Sequence, residues 1–214
     1  MTNWDDFFKG SSYSFKEFDV ASAEIQKNFH LLPTGSERYA EKRKKEFIAG
    51  RLCALEAIKN LSIEPPETIS IGANREPLWP SGLCGSISHS KNRAVAVVSN
   101  SLVGVGVDIE ESIQLDRLKK ISGQFIGENE QKFLQDSPLN GTIIFSAKES
   151  LFKALYPSVK QFFGFKDAEI LQIGSGEFQI RLLRSDGLFS QYSDVITGYY
   201  RTIQTEVVTY IPIS

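Results

Sequence analysis

Cysteine and histidine are scarce: the 214 residues contain two of each, Cys53 and Cys84, His30 and His89. Two cysteines allow at most one disulfide and form no Cys-x-x-Cys pair, which argues against a structural zinc site or a disulfide framework. No run approaches the eighteen or more apolar residues of a membrane span, so no membrane partner is expected. The opening stretch, MTNWDDFFKGSSYS, has acids where a secretory signal would be basic and lacks an apolar centre, which sets the expectation of a cytoplasmic protein. Nor is one sign of charge in excess. Lys+Arg 24 against Asp+Glu 26 argues against a dedicated nucleic-acid binder. There is no P-loop and no Gly-x-Ser-x-Gly elbow, and Gly104-Val-Gly106 lacks the third glycine and helix start of a dinucleotide fingerprint.

The apolar and charged fractions, 41% and 23%, are those of an ordinary globular chain, long enough to bury a substantial core. Residues 1–33 are aromatic-rich, with strand-like FKEFDV and a short helical stretch near Ala21–Phe29. Thr34-Gly-Ser-Glu37 matches a capping box, predicting a long helix over SERYAEKRKKEFIAGRLCALEAIKN. Ile48, Leu52, Leu55, Cys53 and Ala57 recur there at three- and four-residue steps, giving a buried stripe. Pro65-Pro66 closes the region. Strands are expected at TISIG, SISHS, RAVAVVSN and LVGVGVDIE, with Asn100-Ser101 as a hairpin turn between the last two. ENEQKFL reads as a helical turn, and Phe145–Tyr156 as a second strong helix stopped by Pro157. Four short strands follow: AEILQIG, EFQIRLL, DVITGYYRT and TEVVTYIPI.

Helix then strands, repeated once, implies an α+β protein of two similar halves, residues 1–102 and 103–214, with a boundary near Asn100–Gly104. A site is expected in the cleft between them.

The chemistry concentrates in GVGVDIE, Gly104–Glu110, and FSAKESLFK, Phe145–Lys153. As an extended strand, the first puts Val103, Val105, Val107 and Ile109 on one face and Gly104, Gly106, Asp108 and Glu110 on the other. The two carboxylates then point the same way, roughly 7 Å apart, beside glycines that admit close approach to the backbone. Glu149 follows on a helix that also carries Lys148 and Lys153. Three carboxylates and a lysine suit a hard divalent cation holding a phosphate-bearing ligand.

Each feature has a plainer reading. Asp108 and Glu110 serve equally as polar residues on a solvent face. Ser146-Ala-Lys-Glu149 is itself a capping-box pattern, and Glu149 with Lys153 is a favourable i,i+4 pair. That pattern would also set Glu149 near a helix N-terminus, with the dipole assisting an anion site. His89, between Ser88 and Ser90, is as readily a strand-end histidine as a phosphate contact. The basic run at 38–45 reads as a solvated helix face.

Together, RKKEFIAGR, REPLWPSGLCGSISHS, GVGVDIE and FSAKESLFKALYP resemble the 4′-phosphopantetheinyl transferases of the Sfp type, in the branch that contains enterobactin synthase component D. The motifs run over residues 43–156, and the GFKDAEI that follows also fits. The resemblance implies two α+β halves joined as a pseudo-dimer within one chain, acting as a monomer. It implies transfer of the phosphopantetheine arm of coenzyme A to a serine of an apo acyl- or peptidyl-carrier protein, releasing 3′,5′-ADP, with Mg²⁺ (or Mn²⁺). By motif match Asp108, Glu110 and Glu149 are the implied metal ligands. Lys153 is the implied residue on the diphosphate, with Lys148 as helper. Ser88 and His89 would contact the 3′-phosphate, and Arg43, Arg51 and Arg75 the nucleotide end. Arg75 sits in an Arg-Glu-Pro variant of a loop that is often Gly-Lys-Pro. Glu149, or a metal-bound water, is the implied base. The segment at about 112–135, with Arg117, Lys119 and Lys120, is a candidate carrier surface. A Mg²⁺-dependent phosphoesterase acting on a small diphosphate, and a non-catalytic coenzyme A-binding protein, are the alternatives.

Overall fold

The computed structural model describes residues 4–18, 23–134 and 137–214. In chain order it comprises β1 (Ser12–Glu17), α1 (Ala23–Lys27), α2 (Glu41–Asn60), β2 (Ser70–Ile71), β3 (Pro77–Leu78), β4 (Cys84–His89), β5 (Arg93–Ser99) and β6 (Gly104–Glu111). Then come α3 (Leu115–Phe125), α4 (Gln131–Leu134), α5 (Pro138–Val159), β7 (Ala168–Ile173), β8 (Glu177–Leu182), β9 (Val195–Ile203) and β10 (Glu206–Ile213). The expected α+β class holds. Asp19-Val20 of the expected first strand and Ala21-Ser22 of the expected short helix lie outside the described residues.

Two antiparallel sheets carry the fold, one in the order β1-β5-β4 and one in the order β6-β10-β9-β8-β7. Every residue of β5 is buried, because its two faces serve two cores. Ala94, Ala96 and Val98 pack on α2 with Ile48, Cys53 and Ala57. Val95 and Val97 face Val105, Val107 and Ile109 of β6, Val208 and Tyr210 of β10, and Phe7 and Phe8 near the N-terminus. The other face of β10, through Val207, Ile211 and Ile213, packs on Ile143, Ala147 and Leu151 of α5. The layers therefore run helix, sheet, sheet, helix, and strict alternation along β5, β6 and β10 is what lets each strand serve two layers.

Several expectations are corrected. β5 and β6 do not form a hairpin. Asn100-Ser101 lies in a crossover between the two sheets, because the apolar faces of β5 and β6 pack against each other instead of their backbones pairing. Thr34-Gly-Ser-Glu37 does not cap α2. A 3₁₀ turn spans Ser36–Arg38, Tyr39 is extended, and α2 begins at Glu41 with no side-chain cap. Of the predicted stripe, Ile48, Cys53 and Ala57 are buried and Leu52 and Leu55 are half-buried. Pro157 does not stop the second helix, which continues to Val159 and ends on Lys160 in the left-handed region at φ 50°. A proline in the last turn costs one N–H bond near an end that frays anyway.

Candidate active site

β6 is an edge strand, paired only to β10, and its free edge faces β4, the edge of the other sheet. Serine hydroxyls close that gap. Ser86 Oγ accepts from the Val107 N–H at 3.1 Å and donates to the Val107 carbonyl at 3.4 Å. Ser88 Oγ accepts from the Ile109 N–H at 3.3 Å and donates to Asp108 Oδ1 at 2.9 Å. Alternation along β4 sets both serines on one side, and a hydroxyl can donate and accept at once, so the edge is satisfied without extending the ladder.

The other approach to β6 is from above. A β-carbon on Gly106 would lie 1.8 Å from the Ser150 carbonyl oxygen, and one on Gly104 2.6 Å from that of Ala154. The glycines thus admit the backbone of α5, which brings its side chains down onto Asp108. Asp108 is 3% exposed. Its Oδ1 accepts from Lys153 Nζ at 2.7 Å and its Oδ2 from Ser146 Oγ at 2.7 Å. Lys153 Nζ also donates to Ser88 Oγ at 3.0 Å and to the Val107 carbonyl at 3.3 Å.

Two local readings of α5 are overturned. Ser146 and Glu149 are not at a helix start, because Ser137 caps the helix and Pro138 opens it. Glu149 lies about three turns in, beyond the reach of the terminal dipole. Lys153 shares the Glu149 face as i,i+4 spacing requires, but its ion pair is with Asp108.

Burial pushes the Glu110 carboxyl up to about 7, with the Asp108 and Glu149 charges adding and Lys153 and Arg117 opposing. Burial also raises Glu149, against the pull of Lys153 and with Asp108 adding. The three carboxylates feel one another without closing into a cluster. Among the described residues, no three His, Cys, Asp or Glu side chains stand together so as to hold a metal ion. The donor set still fits a hard divalent cation, being oxygen-only, drawn from one strand and one helix, and including two carboxyls whose ionised form burial disfavours and a neighbouring cation would restore.

Glu149 and Lys153 line a cavity of about 540 Å³, together with Arg75, Tyr156, Lys160 and Phe162. A Lys160–Glu76 ion pair of 2.9 Å joins the end of α5 to the β2–β3 loop beside it. Glu110 lines a different groove, of about 640 Å³, with Lys42, Lys91 and Arg117.

The remaining predicted residues fall into two sets. Arg43 Nη1 lies 2.7 Å from His89 Nε2. A guanidinium only donates, so Nε2 accepts and the ring proton sits on Nδ1, 3.8 Å from Glu46. Burial lowers the His89 pKa against the pull of Glu46, and Arg43 and Lys153 lower it further. These two residues, with Arg75, remain open to a ligand. Arg51 and Lys148, also expected at the ligand, are buried and paired with internal partners. Arg51 is 5% exposed, stacks on Phe47 at 4.3 Å and donates through Nε to the Ile69 carbonyl at 2.8 Å, and burial lowers its pKa to about 10. Lys148 is turned about 100° from Glu149 around the helix, which takes its ammonium into the interior. Its Nζ is 2.7 Å from Glu130 Oε2 and 2.8 Å from the Phe125 carbonyl, with both side chains of the pair 1% exposed. Burial lowers its pKa while Glu130 opposes. Ser88, expected on a phosphate, spends its hydroxyl on Asp108.

Sequence reasoning missed Ser86, Glu130, Ser146 and Thr209. Ser146, Ser150 and Lys153 are spaced i, i+4, i+7, so a shared polar face was readable. Thr209 was not, because only the sheet register sets it opposite Asp108.

Family models match almost the whole length between residues 34 and 210. Residues 34–99 match the 4′-phosphopantetheinyl transferase N-terminal domain, and residues 104–210 match the 4′-phosphopantetheinyl transferase superfamily. Among similar proteins, enterobactin synthase component D of Salmonella typhi is 38% identical over 181 residues, 82% of this chain and 75% of the relative. The protein of the same description from Escherichia coli K12 is 34% identical over 188 residues, 86% and 87% of the two chains. The 4′-phosphopantetheinyl transferase Npt of Nocardia iowensis is 32% identical over 154 residues, 67% and 69%.

Proposed function

The chain belongs to the 4′-phosphopantetheinyl transferase superfamily, and from that premise we propose that Asp108, Glu110, Glu149 and Lys153 form its reacting centre. It is an enzyme that transfers phosphopantetheine from coenzyme A to carrier proteins. The observation that carries the assignment is the 2.7 Å pair between Lys153 Nζ and Asp108 Oδ1, one helical turn from Glu149 on the wall of the same cavity.

In the reaction, the serine oxygen of the carrier bonds to the β-phosphorus. The bond from that phosphorus to the bridging oxygen breaks, and 3′,5′-ADP leaves with the electron pair. Lys153 places a positive charge against the diphosphate and stabilises the leaving oxygen more than the ground state. Glu149, or a water held beside the cation, would take the serine proton. Arg75 on the cavity wall, with Arg43 and His89, would hold the nucleotide end. Asp108, Glu110 and Glu149 would hold Mg²⁺, with Mn²⁺ as the alternative. The cation, when bound, neutralises diphosphate charge.

Residues 1–102 and 103–214 are read as the two related halves of a pseudo-dimer in one chain. Each offers one long helix packed on a sheet. One chain then supplies both sides of the cleft, so a monomer is the working unit. Carrier proteins would dock beside Glu110, in the groove with Arg117 and near Lys119 and Lys120. The enterobactin synthase relatives favour carriers of siderophore assembly. Among the described residues no helix is long and apolar enough to cross a membrane.

The test is intact mass spectrometry of an apo-carrier protein after incubation with the enzyme, coenzyme A and Mg²⁺. A phosphopantetheinyl mass gain supports the proposal. Nucleotide release with an unmodified carrier would indicate a phosphoesterase. Coenzyme A bound but unchanged would indicate a binding protein.

A further inference from the structure

The interface between α5 and β10 is apolar at Ala147, Leu151 and Ile211. In its middle lie three hydroxyls with no exposed surface, those of Ser146, Ser150 and Thr209. Ser150 Oγ is 2.7 Å from Thr209 Oγ1, and Thr209 Oγ1 is 2.9 Å from Ser146 Oγ. Ser146 Oγ is 2.7 Å from Asp108 Oδ2. The backbone is tied in as well: Thr209 Oγ1 lies 2.9 Å from the Ser146 carbonyl oxygen, and Ser150 Oγ 3.2 Å from the Thr209 carbonyl oxygen.

Each hydroxyl has one proton, so the order of donation can be counted. A carboxylate only accepts, so Ser146 donates to Asp108. Thr209 has one proton and two acceptors at 2.9 Å, Ser146 Oγ and the Ser146 carbonyl oxygen, and holds Ser146 through one or the other, while Ser150 donates to the Thr209 hydroxyl or carbonyl oxygen. This chain of hydroxyls meets the anion at Ser146, which Thr209 holds from β10 and Ser150 backs from the next helical turn. Such a chain strengthens link by link in a low-dielectric interior. Three buried hydroxyls in an otherwise apolar seam cost desolvation that packing alone would avoid. Their placement makes sense if the carboxylate at the end of the chain must be aimed.

We propose that Ser146 and Thr209 are positioning residues that hold Asp108 Oδ2, leaving Oδ1 as the single oxygen this aspartate offers to a divalent cation. The inference rests on the reading of Asp108 as a metal ligand. Oδ1 carries Lys153 and the Ser88 hydroxyl, of which the lysine is the exchangeable partner, whereas Oδ2 is tied to the helix and through it to β10. An aspartate held in this way keeps one orientation whether or not the lysine moves to a ligand.

The test uses the full chain and Mn²⁺ as probe, followed by electron paramagnetic resonance, alongside kinetics and thermal melting. Thr209→Val keeps the shape and removes the hydroxyl, whereas Thr209→Ser keeps the hydroxyl. Thr209→Val is expected to weaken Mn²⁺ about tenfold and to lower kcat with little change in the KM for coenzyme A. Thr209→Ser is expected to stay within about twofold of wild type on both. If Thr209→Val does not fold, Ser146→Ala is read in the same assays, with the same expected losses. Wild-type Mn²⁺ affinity in a folded Thr209→Val or Ser146→Ala protein overturns the inference, as does a Thr209→Ser protein as impaired as Thr209→Val. A wild-type enzyme that binds no Mn²⁺ overturns instead the metal reading beneath it.

Discussion

Gly106 meets the carbonyl oxygen of Ser150 so closely that a β-carbon there would lie 1.8 Å from it, with backbone and no flexible side chain in the way. The space beside Asp108 is therefore filled by helix α5, and the glycine is what allows the helix to carry its lysine and serine to the aspartate. Gly106→Ala should push α5 off β6 and cost ~3 kcal/mol or more by overpacking. Urea denaturation would read that loss, and activity should fall with it. Gly123→Ala is the contrast: nothing lies within 4 Å of the added carbon in the α3 interior, and alanine should stabilise by about 0.5–1 kcal/mol. Equal midpoints for both variants would refute the close-approach reading.

Glu130 and Lys148 form an ion pair with both side chains 1% exposed. Glu130 also accepts from the Gly127 and Ile170 N–H groups at 2.7 Å each, so it ties the 3₁₀ turn at 128–130 and β7 to α5. Glu130→Ala should destabilise by about 3–5 kcal/mol, since it strands a buried ammonium. The double variant Glu130→Leu, Lys148→Met should recover part of the loss. Chemical denaturation checks both. A double variant no more stable than the single would mean that the two N–H bonds, not the charge pair, set the cost.

The alternation of GVGVDIE and the four closing strands were legible because period-two patterns survive wherever one face is buried. What could not be read was which strands pair. β5 and β6 look like a hairpin along the chain, yet they pack face to face, a choice made by their second apolar faces and not by the turn. Helix capping misled twice for a related reason. Thr34-Gly-Ser-Glu37 and Ser146-Ala-Lys-Glu149 both fit the pattern, but the second is interior to a helix started by Ser137-Pro138. Lys153 pairs with Asp108 and shares a cavity with Glu149; the second follows from i,i+4 spacing, whereas the first depends on how α5 crosses β6. Lys148, next to Glu149 in sequence, is turned about 100° from it around the helix, and its ammonium is paired with buried Glu130.

The Glu110 pKa of about 7 makes apo stability depend on pH. A carboxyl whose folded pKa lies above its unfolded value near 4.5 contributes stability that is complete below about 4.5 and lost as pH rises through about 7. Glu110→Gln removes that dependence. Discounted for its partial exposure, it should stabilise the metal-free protein by about 1–2 kcal/mol at pH 8 and have little effect near pH 5. Thermal melts across that range read the difference. A variant destabilised equally at both values would sink the assignment of burial as the cause.

Arg43 and His89 stand together at 2.7 Å, at the edge of the site, with the histidine neutral and its Nδ1 proton towards Glu46. If they hold the 3′-phosphate, His89→Ala should raise the KM for coenzyme A roughly tenfold, the loss of one hydrogen bond to a charged group. The KM for 3′-dephospho-coenzyme A should barely move. Equal losses with both substrates would take His89 off the 3′-phosphate.

At the proposed metal site, Lys153 and a divalent cation would compete for the same oxygen, Asp108 Oδ1, so the effects of removing the lysine should run in opposite directions. Lys153→Ala leaves Asp108 buried with only the Ser88 and Ser146 hydroxyls, so the free protein should melt lower. Mg²⁺ then fills a vacated charge position instead of displacing an ammonium, and should raise the melting temperature of the variant more than that of wild type. Turnover should still fall by about 10²–10³, because the charge that meets the developing negative charge on the leaving oxygen is gone. Binding and catalysis would thus separate in a single substitution, with the metal held at least as well and kcat lost. Calorimetric Mg²⁺ titration beside steady-state kinetics reads both. A variant that binds Mg²⁺ more weakly and keeps its kcat would show that Lys153 supports the aspartate and does not act on the diphosphate.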